Sequence, residues 1–198
     1  MKKTAHTPTL LLIGLLAACT GAKKEHAHAS VDSVTHASVA MDSIKTFANV
    51  DASVKTQLNG LLDDYFALNQ ALIDDNETKA KDAAKKLDEA IARFDMSGLD
   101  PEQMTFYHRQ IEGLRESLQG MRRGADIEEV RSDLSSLSDH FYALVKAYHP
   151  NTQELYYQFC PMAKDGAGAS WISRTKEIAN PYMGQRMLTC GKTKEVIN

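Results

Sequence analysis

Two sulfur-bearing clusters stand near the carboxy end of this 198-residue chain. Cys160-Pro161-Met162 comes first, and Met183, Met187 and Cys190-Gly191 follow about thirty residues later, with Trp171 between. Thiolate and thioether sulfur are soft donors that suit Cu(I), and a site made of them needs two to four groups converging from a compact segment. Met187 and Cys190 are three apart, so they share one side of a helical turn but point to opposite faces of a strand. Pro161 stiffens the first cluster, and the Trp171 ring offers a face for a cation. The same cysteines admit a second use. A Cys160–Cys190 disulfide closing a loop of about thirty residues would stabilise by roughly 3–4 kcal/mol in the chain-entropy view, with the methionines as filler against the aromatics. Both readings stand open on the residues alone, as does a redox-coupled centre that alternates between them.

Which reading applies depends on compartment, and the amino terminus speaks to that. Lys2 and Lys3 precede the apolar run Leu10-Leu11-Leu12-Ile13-Gly14-Leu15-Leu16, too short to span a bilayer permanently, so residues 1–18 read as a secretion signal. The run ends in Leu16-Ala17-Ala18-Cys19, which resembles the lipobox of bacterial lipoproteins. That resemblance implies that Cys19 becomes the lipidated first residue of the mature protein, held on the membrane by its acyl chains. The expected location is the bacterial cell envelope, periplasmic or surface-exposed, where thiols escape the cytosolic reductants.

Composition narrows the function classes. The chain is 43% hydrophobic and 25% charged, an ordinary globular balance, with a net charge of −3. Residues 1–18 hold two lysines and no acids, so the remainder stands at −5. An acidic chain without a basic cluster argues against a nucleic-acid partner. No phosphate-binding glycine loop, nucleophile elbow or His-Glu-x-x-His zinc motif is present. The pairs Asp63-Asp64, Asp74-Asp75 and Glu128-Glu129 are adjacent, so on helices they diverge by about 100° and read as solvated faces rather than acid/base partners. We expect a binding or structural protein, not an enzyme.

The sulfur clusters need a platform, and the middle of the chain supplies helices. Residues 19–48 are a polar tether rich in Ala, Ser, Thr, Lys and His, in which His26, His28 and His36 are candidates for weak metal capture. Val54, Leu58, Leu61, Tyr65, Leu68 and Leu72 are spaced 4, 3, 4, 3, 4, forming a single stripe on one helix that Asp74-Asp75-Asn76 ends. A second helix over about 77–95 is acid-rich at its start and buries Ala80, Ala83, Ala84, Leu87, Ala90, Ile91 and Phe94. Asp100-Pro101-Glu102 supplies an N-cap, a first-turn proline and a first-turn acid for a third, striped by Met104, Tyr107, Ile111, Leu114, Leu118 and Met121 and ended by Gly124. A fourth starts near Asp126 and repeats through Ile127, Val130, Leu134, Leu137, Phe141, Leu144 and Tyr148, stopping at His149-Pro150. Short connections make an antiparallel up-and-down four-helix bundle over 49–150 the economical solution. His108 and His140 lie beside the stripes and read as surface or hydrogen-bonded histidines. Residues 151–198, rich in Gly, Pro and aromatics, read as an irregular cap packed on the bundle, with short strands at Leu155–Phe159, Ser170–Ser173 and Arg186–Cys190.

The cap also carries a family resemblance. Tyr156-Tyr157-Gln158-Phe159-Cys160-Pro161-Met162-Ala163, Gly168-Ala169-Ser170-Trp171-Ile172-Ser173, Ile178-Ala179-Asn180-Pro181-Tyr182-Met183-Gly184 and Met187-Leu188-Thr189-Cys190-Gly191 resemble the domain of unknown function 3347 family. Upstream, Tyr65-Phe66-Ala67-Leu68, Ala71-Leu72, Asp74-Asp75, Arg131 and Leu137-Ser138 extend the likeness to about residues 50–198, although Leu134 stands where the family suggests an aromatic. The family occurs in bacterial envelope lipoproteins and appended to periplasmic adaptors of heavy-metal efflux pumps. The resemblance implies handling of a soft heavy-metal ion, Cu(I) first, by Cys160, Met162, Met187 and Cys190 with Met183 a further candidate. It also implies a membrane-anchored protein with an efflux adaptor or another envelope metal-handling protein as partner. The alternative is an anchored structural or protein-interaction lipoprotein stapled by a Cys160–Cys190 disulfide.

Overall fold

The computed structural model describes residues 44–198. Cys19, His26, His28 and His36, with the signal segment and most of the tether, lie outside the described residues. Among those described, no helix is long and apolar enough to cross a membrane. The chain is mainly helical, with a small three-stranded sheet. Helix α1 spans Ala52–Ile73, α2 Glu77–Ala92, α3 Pro101–Arg123, α4 Ile127–Ser132 and α5 Leu134–Tyr148; strands β1, β2 and β3 are Leu155–Cys160, Ala169–Ser173 and Lys192–Ile197.

Helices α1 to α4 begin where their cap chemistry dictates, whereas α5 has no side-chain cap. Asp51, Asn76 and Asp126 accept first-turn backbone N–H groups through their side chains. Asp100 does so within a full capping box, with Gln103 returning a bond to the Asp100 backbone and Pro101 at the first position. The apolar stripes face one core: Val54, Tyr65, Leu68, Leu72, Leu87, Leu114, Leu118 and Phe141 are all fully or almost fully buried. Helix α2 meets α1 and α3, and α3 meets α5. The adjacent acids turn to different partners. Asp63 pairs with Arg174 and Asp64 with Lys86, while Asp75 and Glu128 both reach Arg131.

The expected fourth helix is interrupted. Asp133 separates α4 from α5 with near-helical backbone, φ −88° and ψ −8°, and its side chain lies against Gly120 of α3, where any Cβ would collide with it. The apolar period continues across the break because Asp133 changes the hydrogen bonding without changing the side-chain phase. Leu134, at the position where an aromatic was expected, is fully buried. The packed part also starts earlier than the tether boundary: Phe47 donates its backbone N–H to Ala147 O at 2.8 Å, and its ring meets Phe106 and Tyr148. His140 is held by Gln110 at 2.8 Å, and burial pushes its pKa down.

In the sheet, β1 is central and antiparallel to both neighbours, in the order β2-β1-β3. Strands β1 and β2 lie where the sequence puts them, with Cys160 opposite Ala169. A strand at Arg186–Cys190 does not form. Gly184–Met187 is instead a 3₁₀ turn, with Asn180 N bonding Leu188 O at 2.8 Å and Cys190 N bonding Met187 O at 3.0 Å. These turn bonds consume the backbone groups a strand would have paired. The third strand is Lys192–Ile197, an edge whose lysines face water.

Tyr65 and Arg131 are among the side chains that join cap to helices. Tyr65 of α1, fully buried, shares a hydrogen bond with Ser138 of α5 at 2.8 Å and accepts one from Ile172 N of β2 at 3.2 Å. Arg131 of α4, 4% exposed, donates to Leu72 O at 2.7 Å, Asp75 at 2.5 Å, Pro181 O at 3.0 Å and Glu128 at 2.9 Å. It satisfies a carbonyl at the end of α1 and adds a cation where the helix dipole favours one.

Arg131→Met leaves those carbonyls and Asp75 without their donor. The expected loss is about 3 kcal/mol by urea denaturation, the range for breaking a buried charge network by removing one partner. Asp139 of α5 acts oppositely. Burial pushes its carboxyl up to about 6 from 3.8, against the attraction of Lys164 and Lys194. The folded chain therefore holds this proton more tightly than the unfolded one. Its contribution is present below about pH 4 and is lost as pH rises through about 6. Asp139→Asn is expected to be more stable than the parent by about 2 kcal/mol at pH 7.5 and equal to it near pH 4, a crossover that chemical denaturation at both pH values checks.

Candidate functional site

Strand register brings the two cap cysteines together. Phe159 pairs with Lys192, so the carboxy end of β1 lies beside the approach to β3, and Cys160 meets Cys190 there. The sulfur atoms are 2.6 Å apart, beyond the bond length of about 2.05 Å yet closer than non-bonded sulfurs pack. Cys160 is fully buried on the strand, whereas Cys190 is half-buried in the connecting segment. The partnership with Cys160 and burial push the Cys190 thiol up, while the Met162 backbone N–H, aimed at its sulfur, pulls in the other direction.

The segment carrying Met183, Met187 and Cys190 is shaped by Asn180, itself fully buried. Its side-chain oxygen accepts from Tyr182 N and Met183 N at 2.8 and 3.1 Å, and its amide nitrogen donates to Cys190 O at 2.7 Å. One side chain thus closes the loop at both ends. Gly184 follows at φ +54°, a conformation suited to glycine, and a Cβ there would run into Asp75 and Arg131. Gln185 completes the attachment, donating its backbone N–H to Asp75 at 3.1 Å and its side chain to Ile73 O at 2.8 Å. Arg131 holds the Asp75 carboxyl below the usual carboxylate range through its hydrogen bond, although burial of the acid works against this. Gly191, at φ +148°, lets Trp171 and the Phe159 carbonyl approach the backbone beside Cys190.

The remaining predicted residues fall into distinct settings. Met162 is 55% and Met187 41% exposed, two of the three large apolar side chains so open among the described residues. They are therefore not filler packed against aromatics. Met183 is partly buried, and with Met162 it lines a cleft of about 560 Å³ whose other walls include Arg131, Lys164, Tyr182 and Arg186. Trp171 is 1% exposed, edge-on to Tyr182 with centroids 6.0 Å apart, so its face is not offered to an incoming cation. Cations stand instead over Phe47, Phe66 and Phe159. Among the described residues no three His, Cys, Asp or Glu side chains converge as a metal site. Any ion taken at the cysteine pair would draw further donors from methionine or backbone. The chemistry available is that of two adjoining thiols: oxidation to a disulfide, or soft coordination after the sulfurs separate to roughly 3.5–4 Å, a spacing compatible with metal–sulfur bonds of about 2.3 Å.

Sequence reasoning did not single out Asn180 or Arg131 for these roles. The Asn180-Pro181 pair is a turn signal that could have pointed to the first. Arg131 sits between the apolar positions Val130 and Leu134 and gives no local sign that it is buried.

No curated protein and no solved structure matches the chain. The family model described as "Protein of unknown function (DUF3347)" matches residues 61–153, from within α1 to just past α5. The match is shorter than the likeness read from the sequence and ends before Cys160. The helical region, residues 61–153, is what the chain shares with the DUF3347 family.

Proposed function

We propose that the chain is a lipid-anchored bacterial envelope protein that captures a soft metal ion, Cu(I) first, at Cys160 and Cys190. The helices would form an antiparallel up-and-down bundle, a reading supported by the three-residue connection between α1 and α2 and the contacts of α2 with both α1 and α3. Cys19 would hold the mature protein at the membrane, and the tether with His26, His28 and His36 would give the bundle reach toward a heavy-metal efflux adaptor or another envelope metal-handling protein. The observation that carries the proposal is the meeting of two thiols from separate segments beside methionines left open to solvent.

Ligand exchange is the mechanism. Cys160 is fixed by its strand, so Cys190 moves, and Gly191 beside it gives the backbone freedom to do so. A Cu(I) cargo arriving on another soft ligand would meet the exposed thioethers of Met162 and Met187 first, with Met183 on the adjoining cleft. It would pass to the thiolates, releasing their protons.

A second reading is favoured by the 2.6 Å separation itself. In an oxidising compartment the pair closes to a disulfide that staples the cap, and the protein serves as an anchored structural or interaction partner. One set of measurements separates the two. The metal reading expects the reduced mature chain to take a single equivalent of Cu(I) from a chromogenic chelator. Cys160→Ser and Cys190→Ser each weaken this about 100-fold, roughly 2.7 kcal/mol, and Met162→Leu weakens it less. No Cu(I) taken up after full reduction, with intact mass lighter by two hydrogens before it and a lower melting temperature as the sole effect of Cys160→Ser, would leave only the staple.

A further inference from the structure

The two cysteines of the cap meet, but they do not share access to solvent. Cys160 closes β1 opposite Ala169, is 0% exposed and belongs to the same buried cluster as Trp171 and Ile172. Cys190 is half-buried, and the Met162 backbone N–H that donates to its sulfur belongs to a residue whose side chain is 55% exposed. Disulfides form and break by attack of a thiolate on a disulfide sulfur, so the sulfur that can be reached decides the course of exchange. A thiol attacking Cys160 would have to stand inside the folded chain, and the group it left there would need room that a close-packed interior does not provide. Cys190 is the member of the pair that reaches the surface.

We propose that Cys190 is the sulfur through which this centre exchanges with small thiols and their disulfides, and that Cys160 is the resolving sulfur. In oxidation, the Cys190 thiolate attacks one sulfur of a small disulfide, whose S–S bond breaks, giving a mixed disulfide on Cys190 and one free small thiol. Cys160 then gives up its proton and attacks the Cys190 sulfur, and the second small thiol leaves and takes up a proton. The pair has lost two electrons, and the small disulfide has become two thiols. Reduction runs the same steps backward: a small thiolate attacks Cys190, and Cys160 leaves. The inference rests on the reading in which the pair closes to a disulfide and asks nothing of the metal.

Oxidised glutathione is the probe, on the reduced full chain, with intact mass and peptide mapping that keeps Cys19 apart from the pair. Cys160→Ser is expected to gain one lasting glutathionyl group at Cys190. Cys190→Ser should gain one at Cys160 at least about 100-fold more slowly, because the buried thiol reacts only when the cap opens. In urea the two rates should converge, and the parental pair should lose two hydrogens and keep no adduct. If Cys160→Ser lacks the parental circular dichroism, brief alkylation of the reduced parental chain with iodoacetamide carries the test, with Cys190 labelled before Cys160. Equal rates in the two folded variants, or Cys160 labelled first, overturn the proposal and leave the disulfide reading intact. A parental pair that keeps both hydrogens after oxidised glutathione overturns that reading and the proposal with it.

Discussion

A guanidinium buried under the end of α1 holds the cap in place. Arg131 belongs to α4 by sequence, but three of its bonds leave that helix, for the last turn of α1, the Asp75 turn and the Pro181 carbonyl. A charge taken out of water is tolerated only with its donors used, and here all three guanidinium nitrogens find acceptors. The arrangement fixes where residues 181–187 must run, because their hydrogen bonds to Asp75 and Ile73 depend on that turn being in place. Gly184 is the steric counterpart, since only a residue without a side chain lets the loop lie against the same pair of charged groups.

Polar atoms in the core extend this logic from attachment to register. Apolar burial holds the sheet against the helices but is indifferent to small slips. The Tyr65 hydroxyl is not: it joins Ser138 of α5 to the Ile172 backbone of β2, so α1, α5 and the sheet are set relative to one another by directional bonds. Tyr182 adds another, donating to Ser170 O at 2.6 Å. With β2 located, the β1 register locates Cys160, and the β3 register brings in the segment that carries Cys190. The sulfur pair is thus the far end of a chain of geometric constraints that begins in the helical core.

How much of this was legible in the sequence follows from the range of the forces involved. The stripe from Val54 to Leu72 and the Asp100-Pro101 start of α3 are local signals, and the helices stand where those signals put them. The break at Asp133 left no trace because it preserves the apolar phase on both sides. The segment Arg186–Cys190 resembles a strand in composition, but its conformation is decided by Asn180 and by partners more than a hundred residues away, Ile73 and Asp75. For the sulfur centre, residue types named Cys160 and Cys190, whereas their meeting depends on strand register. Trp171 was read as a surface over a cation because of its place between the clusters. Its burial follows from packing against Tyr182 and the glycine after Cys190, which spacing does not encode.

The exposure of the methionines bears most directly on what the centre is for. A cap stabilised by a disulfide needs nothing from Met162 and Met187, and apolar side chains that are about half exposed add little to folding while enlarging a sticky surface. Their thioethers, unlike thiols, do not form disulfides, so they would remain donors whatever the state of the cysteines. Metal and disulfide compete for the same two sulfur atoms: coordination needs thiolates, and oxidation removes them. A soft ion bound to the dithiolate would shift that balance toward the reduced pair by mass action, in proportion to its affinity. If the proposed metal capture holds, the two readings of the cap would be linked equilibria of one centre, and the ambient redox potential and the supply of soft metal would set which state is populated.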